Sequence, residues 1–211
     1  MTESRSQWHT EVLPEGWAQA AADLSARSVL SGFYLAGGTG LALSLGHRRS
    51  VDLDLFRETT FESTVIRDGL RNLESLQKLE TAPGTLHVEL RGVKVSFLYY
   101  LYPLLFPVRR FDVFDLADPR DIASIKLEAV ANRGSRRDFV DLYVAAQTWG
   151  LRDILQWFDV KYAAVAYNRV HLFKALTYFR DAEQQPMPDM LIPLRWDEVR
   201  TFFRSEVPRL I

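Results

Sequence analysis

Asp52 and Asp54 stand one residue apart in the run Ser50-Val51-Asp52-Leu53-Asp54-Leu55-Phe56. Alternating apolar and polar residues mark a strand, on which successive side chains take opposite faces. The two carboxylates therefore project the same way, roughly 7 Å apart along the backbone. Val51, Leu53 and Leu55 take the other face, against the core. Two neighbouring carboxylates repel, and one is driven toward protonation unless a cation neutralises them. Magnesium suits the pair, because it takes one or two carboxylates and completes its shell with water and substrate phosphate. The same spacing also describes an edge strand whose polar face lies in water.

Upstream, Gly37-Gly38-Thr39 separates a short strand, residues 33–36, from the helical segment "TGLALSLG", which Gly46 closes. Backbone N–H groups of glycines at a helix N-terminus form an anion site. Thr39 can cap that helix or offer its hydroxyl to a phosphate. A tight turn with an ordinary cap fits these three residues as well. A phosphate cradle followed about fifteen residues later by a carboxylate pair describes phosphoryl or nucleotidyl transfer. Two basic clusters, His47-Arg48-Arg49 and Arg133 with Arg136 and Arg137, are either solvated turns or neutralise phosphates of a nucleotide or an RNA.

The elements that must hold these residues fall into two halves. Residues 14–29 read as a helix, 62–80 as an amphipathic helix, and "TLHVEL" and "VKVSFLYY" as strands joined by the turn Arg91-Gly92. Short extended pieces with prolines follow, up to Asp118. Asp118-Pro119 then gives an N-cap with proline at the first helical position. All that follows reads as helix: 120–134, 136–150 and three more segments near 152–164, 168–180 and 196–206. We expect an α+β fold, an N-terminal α/β core over 1–117 and a helical domain over 118–211 that completes the site. Lys126 sits on or beside the apolar stripe of its helix, so it either snorkels outward or points into a site. Ser135-x-x-Asp138 reads as a capping box. Tyr99, Tyr100 and Tyr102 read as core or subunit contacts rather than base-stacking platforms.

The chain has 211 residues, a formal net charge of −1 and no cysteine. Whole-molecule charge therefore does not call for nucleic acid or membrane, and thiolate chemistry and disulfides are excluded. The N-terminus lacks an apolar signal core, and no run approaches the ~18 apolar residues of a membrane helix. A cytoplasmic protein with no membrane partner is expected.

"FYLAGGTGLALSLGHRRSVDLDLF" resembles the opening motif of the AbiEii/AbiGii-type nucleotidyltransferases, within the DNA polymerase β-like superfamily. The likeness continues in "VKVSFLYYLYPLL", "ADPRDIASIKLEAVANRGSRRDFVDLY" and "LTYFRDAEQQPMP". The resemblance implies a nucleotidyltransferase fold, a mixed sheet with flanking helices followed by a helical bundle. It implies a nucleoside triphosphate as co-substrate, Mg2+ as cofactor and an RNA such as tRNA, or a protein, as acceptor. It also implies frequent service as the toxin of a toxin–antitoxin pair, with a cognate antitoxin as partner. On the matching positions, Asp52 and Asp54 hold metal, and Gly37, Gly38, Thr39, Arg48 and Arg137 bind the nucleotide. Lys126 contacts the triphosphate. Asp138 orients Lys126 or acts as base, with Asp141 a turn further on.

The superfamily usually adds a third acid from a neighbouring strand. With Arg91-Gly92 as the turn, Glu89 faces Lys94 and His87 faces Ser96, so the acidic position is held by Ser96. The rival to an enzyme is accordingly a module of the same fold that has lost catalysis and binds nucleotide, RNA or a partner protein.

Overall fold

The computed structural model describes residues 8–210, and the expectation of no apolar signal core falls in part on residues outside these. Its elements are α1 (Trp17–Ala26), β1 (Tyr34–Leu35), α2 (Gly37–Leu45), β2 (Asp52–Arg57), α3 (Ser63–Leu70), β3 (Leu76–Ala82), β4 (Thr85–Leu90), β5 (Val93–Tyr99), β6 (Arg109–Phe111) and β7 (Phe114–Leu116). Helices follow: α4 (Pro119–Asn132), α5 (Arg136–Trp149), α6 (Leu151–Lys161), α7 (Arg169–Leu176), α8 (Arg180–Glu183) and α9 (Trp196–Glu206). The strands form one mixed sheet in the order β3-β4-β5-β2-β1-β7-β6. This is the expected α+β arrangement, a mixed sheet with flanking helices and then a helical bundle.

The central strand β2 runs parallel to β5 and antiparallel to β1, pairing Asp54 with Ser96 and Leu55 with Leu35. Leu53 and Leu55 are fully buried on the rear face, in a core closed by α1 and α3. Val51 departs from the expected alternation: it is 60% exposed, because β2 begins only at Asp52 and the preceding residues approach the sheet as a loop. A second core lies among α4 to α9, around Phe139, Phe158 and Phe203. A smaller cluster joins the halves, packing Leu41 and Phe56 against Ile122 and Ile125.

The expected helix over 62–80 is corrected. α3 stops at Leu70, and residues 76–82 form β3, paired antiparallel with β4. Leu, Gln, Lys and Glu in this stretch favour helix in isolation, but the unpaired edge of β4 supplies a ladder that overrides propensity. Among the described residues no helix is long and apolar enough to cross a membrane.

Candidate active site

Asp52 and Asp54 look out from β2 into a cleft of about 530 Å³ between the sheet and helices α4 and α5. Asp52 is partly open to solvent, and Arg137 Nη1 stands 3.8 Å from its Oδ2. Asp54 is deeper. Burial raises its proton affinity above the ordinary carboxylate value, the Lys126 ammonium opposes that rise, and Asp52 adds to it. Ser96, beside it on β5, hydrogen-bonds Asp54 and lies 2.9 Å from His87 Nδ1. The β4–β5 register is the expected one, with His87 opposite Ser96 and Glu89 opposite Lys94. Among the described residues no third acid or histidine joins Asp52 and Asp54 in a metal-ready group.

The glycines owe their identity to this crowding. Gly37 has φ +62°, and a Cβ there would lie 2.4 Å from Asp54 Oδ2. A Cβ on Gly38 would lie 2.3 Å from Arg48 Nη2. Both glycines line the cleft in the first turn of α2, and the N-cap residue Ala36 supplies no side-chain hydrogen bond to that turn. The free backbone N–H groups of a helix start are an anion site. Thr39 neither caps the helix nor reaches the cleft. It is buried, and its hydroxyl bonds Ser50 Oγ at 2.7 Å and the backbone carbonyl of Asp52, tying α2 to the start of β2.

Behind the carboxylate pair lies a buried ionic network. Asp141, fully buried on α5, accepts from Arg48 Nε at 2.6 Å and Nη2 at 2.8 Å, and meets His47 Nε2 at 2.8 Å. Lys126 Nζ stands 2.7 Å from Asp141 Oδ2 and 3.0 Å from Asp138 Oδ1. Burial lowers the proton affinity of Lys126, but Asp141 and Asp138 outweigh it and raise that affinity above the ordinary lysine value. Asp138 also accepts from Arg133 Nε at 2.7 Å and from the Ser135 hydroxyl at 2.5 Å. Burial disfavours its charge, yet Lys126, Arg133 and Ser135 prevail and hold the carboxyl down at about 2. The capping box is half realised: Ser135 accepts from the Asp138 backbone N–H, while the acid turns to the cations.

The fold thus brings Gly37, Gly38, Arg48, Asp52, Asp54, Lys126, Arg137 and Asp138 to one cleft and leaves Thr39 beneath it. Sequence reasoning underrated Asp141 and His47. The first is the hub of the network, and the second is a buried partner rather than a surface cation. Asp141 follows Asp138 by three residues, the spacing that puts both on one helix face, and that was the available signal. Arg136 is structural: it donates to the Ala182 and Glu183 carbonyls and stacks on Trp196.

No protein-family model matches the chain. Among solved structures, MenT4, a nucleotidyltransferase toxin from Mycobacterium tuberculosis H37Rv, superposes with a TM-score of 0.54 at 18% identity, over 92% of this chain and 85% of that one. A protein from H. pylori assigned as a nucleotidyltransferase gives 0.51 at 16% identity, over 93% and 97%. These likenesses establish the fold. The uncharacterised Aquifex aeolicus protein aq_aa25 is 36% identical over 185 residues, which span 85% of this chain and 88% of the relative. At that identity and coverage, the chain belongs to the family of the Aquifex aeolicus protein aq_aa25.

Proposed function

We propose that the protein is a magnesium-dependent nucleotidyltransferase that moves a nucleoside monophosphate from a nucleoside triphosphate to a hydroxyl of an RNA or protein acceptor. The observation that carries this reading is Asp54: a buried carboxylate beside a second one, with its proton affinity raised, at contact distance from a helix start built of glycine. The charge of this pair is only partly offset, by Arg137 at 3.8 Å from Asp52 and by Lys126 acting on Asp54, and its hard oxygens fit magnesium. Asp52 and Asp54 would hold the ion, which when bound draws charge from the phosphates.

The remaining roles follow from the side chains themselves. Backbone N–H groups of Gly37 and Gly38 cradle phosphate oxygens, and Arg48, fixed by Asp141, backs them. Lys126 is held as an ammonium and so serves as a fixed positive charge, not as a base. Asp138, at about 2, has little proton affinity near neutrality and is a positioning residue for Lys126 and Arg133. In the reaction the acceptor oxygen bonds to the α-phosphorus as the bond from that phosphorus to the β-phosphate's bridging oxygen breaks. Pyrophosphate leaves, and the acceptor proton passes to solvent or to a carboxylate of the pair.

One observation favours the non-catalytic reading, namely Ser96 in the third acid's place, bridged to His87. Incubation with each α-labelled nucleoside triphosphate, Mg2+ and total RNA or cell extract separates the two. Label should move to an acceptor with the wild type and not with Asp54→Ala. Binding without transfer for every nucleotide would favour the non-catalytic module. A toxin role with a cognate antitoxin is part of the same proposal, and growth arrest on expression, relieved by Asp54→Ala, is its readout.

A further inference from the structure

The cleft changes character along its length. β2 and β5 lie in parallel register, with Asp52 beside Lys94, Asp54 beside Ser96 and Phe56 beside Leu98. At about 3.3 Å per residue the cleft floor passes from charged to apolar over about 13 Å, comparable with the span from a phosphate chain to a base. The glycines and Arg48 stand at the charged end. At the far end Phe56, Leu98 and Tyr100 form an apolar wall, with the Phe56 and Tyr100 rings 5.1 Å apart. Tyr100 is fixed by a hydroxyl–hydroxyl bond to Tyr162.

Facing this wall, α4 presents Ile125, Glu128 and Asn132, three and four residues apart on one stripe. Two of the three are polar, which an ordinary apolar seam does not require. Glu128 Oε1 already accepts from Asn132 Nδ2 and, at 3.3 Å, from the Tyr167 hydroxyl. These contacts fix the carboxylate in place. A carboxylate has about four acceptor sites, so Glu128 keeps capacity for a further donor.

We propose that the apolar end of the cleft seats the nucleobase of the triphosphate, and that Glu128 selects bases bearing an exocyclic amino group over their oxo counterparts. An amino group donates to the carboxylate, whereas a carbonyl in the same place meets like partial charge. A site built around a hydrogen bond rejects the analogue that lacks the group, because its own polar atom is then left unpaired. Burial raises the proton affinity of Glu128, while Tyr167, Arg133 and Asn132 oppose that rise. The inference rests on the nucleotidyl-transfer reading above and adds to it the choice of base.

The test is equilibrium binding with Mg2+ of pairs in which an oxo group replaces an amino group: CTP against UTP, ATP against ITP, and GTP against XTP. Wild type, Glu128→Gln and Glu128→Ala are compared, each first shown to be folded by its thermal transition. In whichever pair binds more tightly, the amino member should be favoured by about tenfold, and both variants should shrink that ratio toward one. Equal binding within every pair by the wild type overturns the proposal, as does a ratio that neither variant changes. Failure of every nucleotide to bind to folded wild type is a different result, which sinks the nucleotidyl-transfer reading itself.

Discussion

Gly37 and Asp54 occupy adjoining space that no side chain can share: a Cβ built on Gly37 would lie 2.4 Å from Asp54 Oδ2 and 3.0 Å from Asp54 Cβ. The helix start and the buried carboxylate are therefore one construction. The close approach sets the backbone N–H groups of the helix start and the carboxylate oxygens against the same region of the cleft.

Gly37→Ala should accordingly displace Asp54. The positive φ of 62° adds backbone strain of about 1 kcal/mol. We expect a small loss of thermal stability, a few degrees, and loss of transfer activity of a hundredfold or more. Near-normal activity with Gly37→Ala would show that the approach is incidental. Gly38→Ala should also impair the site, because Arg48 Nη2 is pinned by Asp141 and cannot swing clear.

Asp54→Asn should stabilise the fold while abolishing transfer. Asp54 has a folded pKa raised above its ordinary 3.8, so its ionised form opposes folding at every pH above that raised value, and the penalty fades as pH falls through it. Removing the charge removes the penalty. Differential scanning calorimetry near neutral pH should show a higher Tm for Asp54→Asn than for wild type. Added Mg2+ should raise the wild-type Tm and leave the variant's unchanged.

Asp138 and Asp141 should behave differently despite sharing Lys126. Asp138 is held at about 2 against an ordinary 3.8, so it adds stability above pH 3.8 that is lost as pH falls toward 2, about 2 kcal/mol in all. Asp138→Asn should remove that slope from an acid-unfolding curve and lower kcat more than it raises KM. Asp141→Asn leaves His47, Arg48 and Lys126 without their shared anion. Breaking such a buried pair costs about 3–5 kcal/mol, so this variant should yield little folded protein. Equal stability of the two variants would contradict Asp141's place as hub.

The arrangement of β2 was legible because local pattern and tertiary packing agree there. Alternation puts Leu53 and Leu55 behind the sheet and the aspartates in front, and the two-residue turn at Arg91-Gly92 fixed the β4–β5 register that sets His87 opposite Ser96. Thr39 was misjudged because its type suits a cap, while a buried partner, Ser50, outcompetes solvent and backbone for its hydroxyl. β3 was hidden because its residues favour helix and only the edge of β4 makes them a strand. Asp141's role depends on His47 and Arg48, more than ninety residues away along the chain, and no local pattern reports such a partner.

The most direct measurement is a paired transfer assay in which one nucleoside triphosphate carries label at the α-phosphate and the same nucleotide, in a parallel reaction, at the γ-phosphate. Wild-type protein with Mg2+ should pass the α-label to an acceptor and release the γ-label as pyrophosphate, and Asp54→Asn should do neither. Transfer of the γ-label to the acceptor, or equal α-label transfer by wild type and Asp54→Asn, would contradict nucleotidyl transfer at the Asp52–Asp54 pair.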